Sequence, residues 1–363
     1  FDDLTALELL YRLMAAYDLG LRVENASPAM AQKAYYRLAT VYRKDNRMFE
    51  ALENVQTLLI RYPQTRRYVE ALKLKLDIYK GLKDYGNALD ALEQLRRASK
   101  DTIEAYKLDY EAGRIYFDMC DYARAESFYA QAFSGSGGRG EWLKVREALA
   151  LVYVRQPGKE REALTQYRDL MRYESSKVRQ SINRLMMHYL SYMISSEPKR
   201  QPLPNEEASF IKQYEALSDA RRAAAGADIA ARASWIYYVS ALLDLQEGAT
   251  DAALIKLDAA GNSPDGLLAG DALVRAGRLR MARGEYDAAR DGFQHLLFAI
   301  NAVEPKVRAT FHLARCYEEL DQEDLAMDRF EEILERYPIS PYAARVKQNA
   351  LYIARTRPAD VET

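Results

Sequence analysis

The sequence of 363 residues predicts an all-α solenoid, a stack of about eight antiparallel helical pairs. Three observations predict it. An alanine recurs at Ala51, Ala88, Ala125, Ala163, Ala253, Ala289 and Ala326, with successive gaps of 37, 37, 38, 90, 36 and 37 residues. Such a period marks a repeated supersecondary unit, because one unit cannot bury its apolar face alone and its neighbours supply the cover. Around these alanines the apolar residues follow the i, i+3, i+4 spacing of a helix face. No run alternates apolar and polar residues as a half-buried strand would.

The elements follow in order. Within residues 1–28, the stretch 4–22 reads as a helix without a partner of its own. An N-terminal arm spans 29–173. Its first unit places Tyr35, Leu38, Ala39 and Tyr42 on one helix and Ala51, Val55 and Leu58 on the next, with Pro63 as the stop. The second unit carries Tyr79, Tyr85 and Ala88, the third Tyr116, Tyr122, Ala125 and Tyr129, and the fourth Ala163. The gap of 90 residues has room for a degenerate unit in 174–225, read as helices over roughly 176–194 and 206–219. Ile182, Leu185, Met186, Tyr189, Leu190 and Met193 form its apolar stripe, expected to pack in the core. The linker SSEPKRQPLPNEE, residues 195–207, holds three prolines and reads as a solvated spacer. A C-terminal arm spans 226–340, with Gly277, Gly284, Tyr286, Ala289 and Phe293, then Leu313, Ala314, Tyr317, Ala326, Phe330 and Pro338. Residues 341–356 read as one last helix covering the final unit, within a cap and tail of 341–363. Pro63, Pro264, Pro305 and Pro338 are all expected between helices.

Composition narrows the rest. The chain has 52 basic and 53 acidic residues, so no global field favours nucleic acid. No stretch approaches the roughly 18 apolar residues of a membrane span, and FDDLTALELL lacks the regions of a signal peptide. A chain opening on Phe1 reads as a trimmed sequence. Cys120 and Cys316 fall in different units, expected tens of ångströms apart and far beyond the roughly 7 Å reach of a disulfide, so both are expected as free core thiols.

Residues 29–357 resemble the tetratricopeptide repeat (TPR) family, whose W-x2-L-G-x2-Y…A-x3-F…P pattern the residues above follow at a slightly longer period. That resemblance implies a right-handed superhelix and a protein-binding role. RYPQTRRYVEA (61–71) and RYPISPYAARV (336–346) are similar to the joint between repeats in bacterial envelope TPR proteins, the Tol-Pal coordinators and outer-membrane assembly lipoproteins. This implies a periplasmic or outer-membrane-associated setting, the alternative being cytoplasmic. A second expectation is a spacer segment in a larger secretion or polysaccharide-export assembly.

The resemblance also implies a concave groove lined by positions 2, 5, 9 and 12 of each first helix. These are Lys33, Tyr36, Thr40 and Arg43, then Glu70, Lys73, Asp77 and Lys80, then Lys107, Tyr110, Arg114 and Phe117. The surface is basic and interleaved with aromatics, so the expected partner is an acidic or aromatic polypeptide segment. The chaperone-tail receptors of the family need a Lys and Asn pair where this chain has Tyr36 and Thr40, which argues against that role.

No catalytic site, metal or cofactor is expected. GSGGRG (135–140) follows a helix, whereas a phosphate-cradling loop follows a strand, so it reads as a linker. His188, His295 and His312 are scattered, with no second ligand at helical spacing. The many helical carboxylates read as solvated faces. Most of the 27 tyrosines occupy repeat positions and read as structural.

Overall fold

A computed structural model describes residues 28–99, 104–136, 138–195 and 202–356. Among the described residues there are only helices and connecting turns. The expected helix 4–22 lies outside them. The pairs are α1 (Pro28–Lys44) with α2 (Met48–Arg61), α3 (Tyr68–Leu82) with α4 (Tyr85–Ala98), α5 (Ala105–Asp118) with α6 (Tyr122–Gly135), and α7 (Arg139–Val154) with α8 (Glu160–Tyr173). The degenerate unit is α9 (Lys177–Met193) followed by two short helices, α10 (Asn205–Glu215) and α11 (Asp219–Ala223). Then come α12 (Ala227–Gln246) with α13 (Thr250–Ala260), α14 (Gly266–Ala282) with α15 (Tyr286–Ala299), and α16 (Val303–Glu319) with α17 (Glu323–Arg336). The single closing helix expected at 341–356 is two, α18 (Pro341–Lys347) and α19 (Ala350–Thr356). Asn349 divides them, its side chain accepting from the Tyr352 amide at 3.0 Å and so starting a new helix.

One turn geometry repeats along the chain. Asn46, Lys83, Cys120, Gly158, Gly248, Gly284 and Asp321 have positive φ, and each stands five residues before one of the seven periodic alanines. The residue after each non-glycine member donates its amide to the carbonyl five positions back: Arg47 to Tyr42 (2.8 Å), Asp84 to Tyr79 (2.9 Å), Asp121 to Tyr116 (2.9 Å), Gln322 to Tyr317 (2.8 Å). This is the bond of a Schellman stop, which satisfies the last free carbonyls of the first helix. Asp84 and Asp121 then cap the second helix by accepting from the amides of Asn87 and Arg124, both at 3.1 Å.

The alanines are the close-approach points. All seven are fully buried. A leucine at Ala125, in the first turn of α6, is therefore expected to overpack the junction and cost about 1–3 kcal/mol. Urea denaturation reads the difference, and an unchanged midpoint would contradict the register.

Pro305, expected between helices, is instead the third residue of α16. Proline is tolerated there because the first-turn amides have no helical acceptor. Its ring packs where a Cβ on Gly270 would stand, 2.4 Å away, so the glycine allows α14 and α16 to meet. In the degenerate unit, Leu185, Met186 and Leu190 are buried in the core with Ile182 and Tyr189 packed against them, as the stripe predicts. The fully buried Glu207 anchors α10, accepting from Ser181 Oγ at 2.9 Å, while Arg184 and Arg232 hold Glu206 at 2.5 and 3.0 Å.

The chain divides into two compact units, one ending at Leu108 and the other beginning at Asp109.

Candidate functional site

In the unit from Asp109 onward, the first helices of successive pairs share an interior. Helices α5, α7, α9, α12 and α14 and the start of α16 all contribute to one cavity of about 550 Å³. Its apolar wall includes Phe117, Leu151, Ile182, Met186, Leu268 and Val303. Tyr110, Tyr129, Tyr167, Asn183, Trp235 and Tyr238 give it a polar and aromatic component. Arg114, Lys144, Glu147 and Asn301 are exposed and open it to solvent.

A buried ionic cluster closes this interior, joining residues far apart in sequence. Glu304, at the start of α16, accepts from Tyr122 at 2.5 Å, Arg155 at 3.1 Å and Arg308 at 3.0 Å. Asp271 on α14 accepts from Arg308 at 2.5 Å, Arg275 at 2.8 Å and Tyr238, and lies 3.4 Å from Arg155. The thiol of Cys120 donates to the Glu304 carbonyl at 3.6 Å. Burial would raise both carboxyls, but Arg155, Arg275 and Arg308 hold Asp271 well below the usual range, and Arg155 and Arg308 hold Glu304 below it. Burial first, then the adjacent Asp271 carboxylate, pushes the Tyr238 hydroxyl up to about 12. The same burial raises the Cys120 thiol, so it stays protonated and unreactive.

These contacts revise two sequence readings. Asp271 with Arg275, and Glu304 with Arg308, sit at i, i+4 and read as solvated pairs, yet all but Arg275 are nearly inaccessible. Cys120 and Cys316 are free and buried, as expected, but the solenoid's length is not what separates them. Cys120 touches Glu304, and Cys316 lies twelve residues further along α16, about 18 Å along the axis.

The ten residues expected in the groove fall into both units. Tyr110, Arg114 and Phe117 line the cavity. Lys33, Tyr36, Arg43, Lys73, Asp77, Lys80 and Lys107 belong to the other unit. There Arg43 pairs with Asp77 at 3.4 Å, Lys107 with Glu104 at 2.6 Å, and the Arg67 guanidinium lies 5.1 Å over the Tyr36 ring. Arg114 itself pairs with Glu111 at 3.4 Å. The expected basic surplus is thus partly neutralised within the protein, while Lys33 and Lys73 are exposed and make no ion pair among the described residues.

Sequence reasoning missed Asn183, Trp235, Tyr167 and the ionic cluster. For Asn183 a signal existed: it stands in line with Met186 and Leu190 at i, i+3 and i+7, a polar side chain on the buried stripe of α9. The cluster had none, since its partners are as far apart in sequence as Arg155 and Glu304. Among the described residues no group of three metal-ligating side chains converges, and no helix is long and apolar enough to cross a membrane.

The tetratricopeptide repeat family model matches residues 33–65 and 308–338. No curated protein matches the chain. Solved structures that are similar include the Cut9–Hcn1 hetero-tetramer of the APC/C, at 12% identity and a TM-score of 0.36, covering 93% of this chain and 59% of that one. Another is a Rap protein complexed with competence and sporulation factor, at 15% identity and a TM-score of 0.39, covering 91% and 99%.

Proposed function

We propose that this chain is a non-catalytic protein-interaction module that receives a polypeptide segment on the inward faces of its first helices. The observation carrying this reading is the convergence of successive first helices on one solvent-connected cavity whose wall mixes aromatic, amide and apolar groups. Repetition makes an extended inner surface, and such surfaces bind partners without bond-making chemistry. The two stretches matching the TPR family agree with it. In the unit ending at Leu108, exposed Lys33 and Lys73 at inward positions favour an acidic partner. A bacterial-envelope setting belongs to the proposal and rests on the two RYP joints at 61–63 and 336–338.

The test is capture of a protein partner, followed by titration of the purified pair. Reversing charge in Lys33→Glu/Lys73→Glu is expected to weaken binding at least tenfold, about 1.4 kcal/mol, and more at low salt because exposed charges are screened. Equal affinity for the double variant, together with loss of binding on changing the 195–207 linker, would place the working surface elsewhere.

A further inference from the structure

The ionic cluster joins elements that a solenoid keeps apart. In such a stack each repeat packs on its neighbours alone. Here Tyr122, at the start of α6, and Arg155, just after α7, bond to Glu304, which lies 182 and 149 residues further along the chain. The Cys120 thiol, in the turn between α5 and α6, reaches the Glu304 main chain. The seam between these elements is polar: the apolar core around Phe293 and Phe330 gathers residues from Ala269 to Tyr352 and takes none from α5, α6 or α7. Glu304 is fully buried, and its second carboxylate oxygen has no partner.

A buried ionic seam is a poor permanent fastening. Apolar side chains of similar volume often hold as well or better, because desolvating the charges offsets their attraction. Such a seam has one property that an apolar one lacks. When it parts, water solvates its charges again, and little apolar surface is uncovered. The charges also divide evenly along it. With α6 and α7 drawn back from α16, Asp271 and Glu304 keep Arg275 and Arg308, two carboxylates with two guanidinium groups, and Arg155 leaves alone toward solvent.

We propose that this seam is a reversible clasp: the start of α16 parts from Cys120, Tyr122 and Arg155 while the helices on each side stay folded, and opening widens access to the cavity. Ala302 and Val303, the two residues before Glu304, line that cavity together with Arg155 and Asp271, so the clasp is part of its wall. The curvature of a solenoid is the sum of small rotations between successive repeats. Slight changes spread over α8 to α13 therefore open the seam without separating any helical pair. Opening belongs to the free chain, so the inference goes beyond the protein-interaction reading and stands without it.

The two cysteines report on the clasp. Cys120 lies in the seam and Cys316 in the core with Phe330, both free and buried. The native full chain is labelled with a thiol-reactive disulfide reagent, and mass spectrometry of its peptides reads each site separately. Cys120 is expected to label at least tenfold faster than Cys316, at a rate that low urea barely changes, because parting the seam exposes little surface. Glu304→Gln, which keeps the shape and deletes the charge, should speed Cys120 at least tenfold and Cys316 less than twofold. Tyr122→Phe, which keeps the ring and deletes one bond, should speed Cys120 several-fold and serves on its own should Glu304→Gln not fold. Trp235 lines the cavity, and Trp142 is the other tryptophan of the chain. In a Trp142→Phe background, acrylamide should quench Trp235 more steeply once Glu304→Gln or Tyr122→Phe is added; equal quenching would overturn the control of access. Labelling of both cysteines together with one steep urea dependence, variants that speed both sites equally, or a Cys120 rate indifferent to both variants would overturn the clasp. None of these outcomes touches binding through Lys33 and Lys73.

Discussion

Asp271→Ala is expected to destabilise the unit from Asp109 onward by about 3–5 kcal/mol, the range for removing one partner of a buried ion pair. Replacing a whole buried network with apolar groups is often neutral, but this change leaves Arg155 and Arg308 sharing Glu304 alone and takes from Arg275 its carboxylate partner. Uncompensated guanidinium in a site with almost no exposure is the source of the loss. Added salt should recover little of it, since buried charges are poorly screened. Acid behaviour gives an independent reading. In the folded protein the Asp271 and Glu304 carboxyls titrate below their ordinary values. Between the folded and unfolded values the unfolded chain therefore binds more protons, so stability is present above the unfolded values near 4 and drains as pH falls through the folded ones. Wild type should lose stability progressively from about pH 5 downward, and Asp271→Ala should lose less over the same interval. Urea midpoints at pH 7, 5, 4 and 3.5 measure both. A cost under 1 kcal/mol at pH 7 with an acid slope equal to wild type would show that the cluster does not hold the fold.

What the sequence made legible is what repeats. The alanines at 51, 88, 125, 163, 253, 289 and 326 are fully buried because a local rule, close approach of two helices, applies once per unit. The turn residue five positions earlier obeys a second local rule, yet only Gly158, Gly248 and Gly284 announce it, because Asn46, Lys83, Cys120 and Asp321 adopt positive φ without being glycine. The cavity was legible in part: position counting along α5 named Tyr110, Arg114 and Phe117, all on its wall. The same counting placed Lys33 and Lys73 on the inward groove, where both are exposed, but could not show that Arg43, Lys107 and Arg114 already have carboxylate partners. The ionic cluster stayed hidden because an i, i+4 pair of opposite charge looks the same on a wet face and in a closed interior. Only tertiary proximity, such as Tyr122 to Glu304, distinguishes them.

Phe293→Ala is expected to cost about 3–5 kcal/mol, the range for truncating a buried aromatic. The ring is fully buried on α15 in the cluster with Val274, Leu296, Leu313 and Phe330, and it fills the space above Gly277 of α14. A Cβ on Gly277 would lie 2.4 Å from that ring, a separation real contacts do not reach. Gly277→Ala alone should therefore force the ring or the helix to shift, at about 1–3 kcal/mol. The two losses should not add. With the ring gone, the methyl of Gly277→Ala enters the vacated space, so the double variant should be more stable than the sum of the singles predicts, a coupling of about 0.5–3 kcal/mol. Four urea curves, for wild type, each single and the double, close the cycle. Additive costs would mean that Gly277 and Phe293 do not meet, and the pairing of α14 with α15 at that position would have to be abandoned.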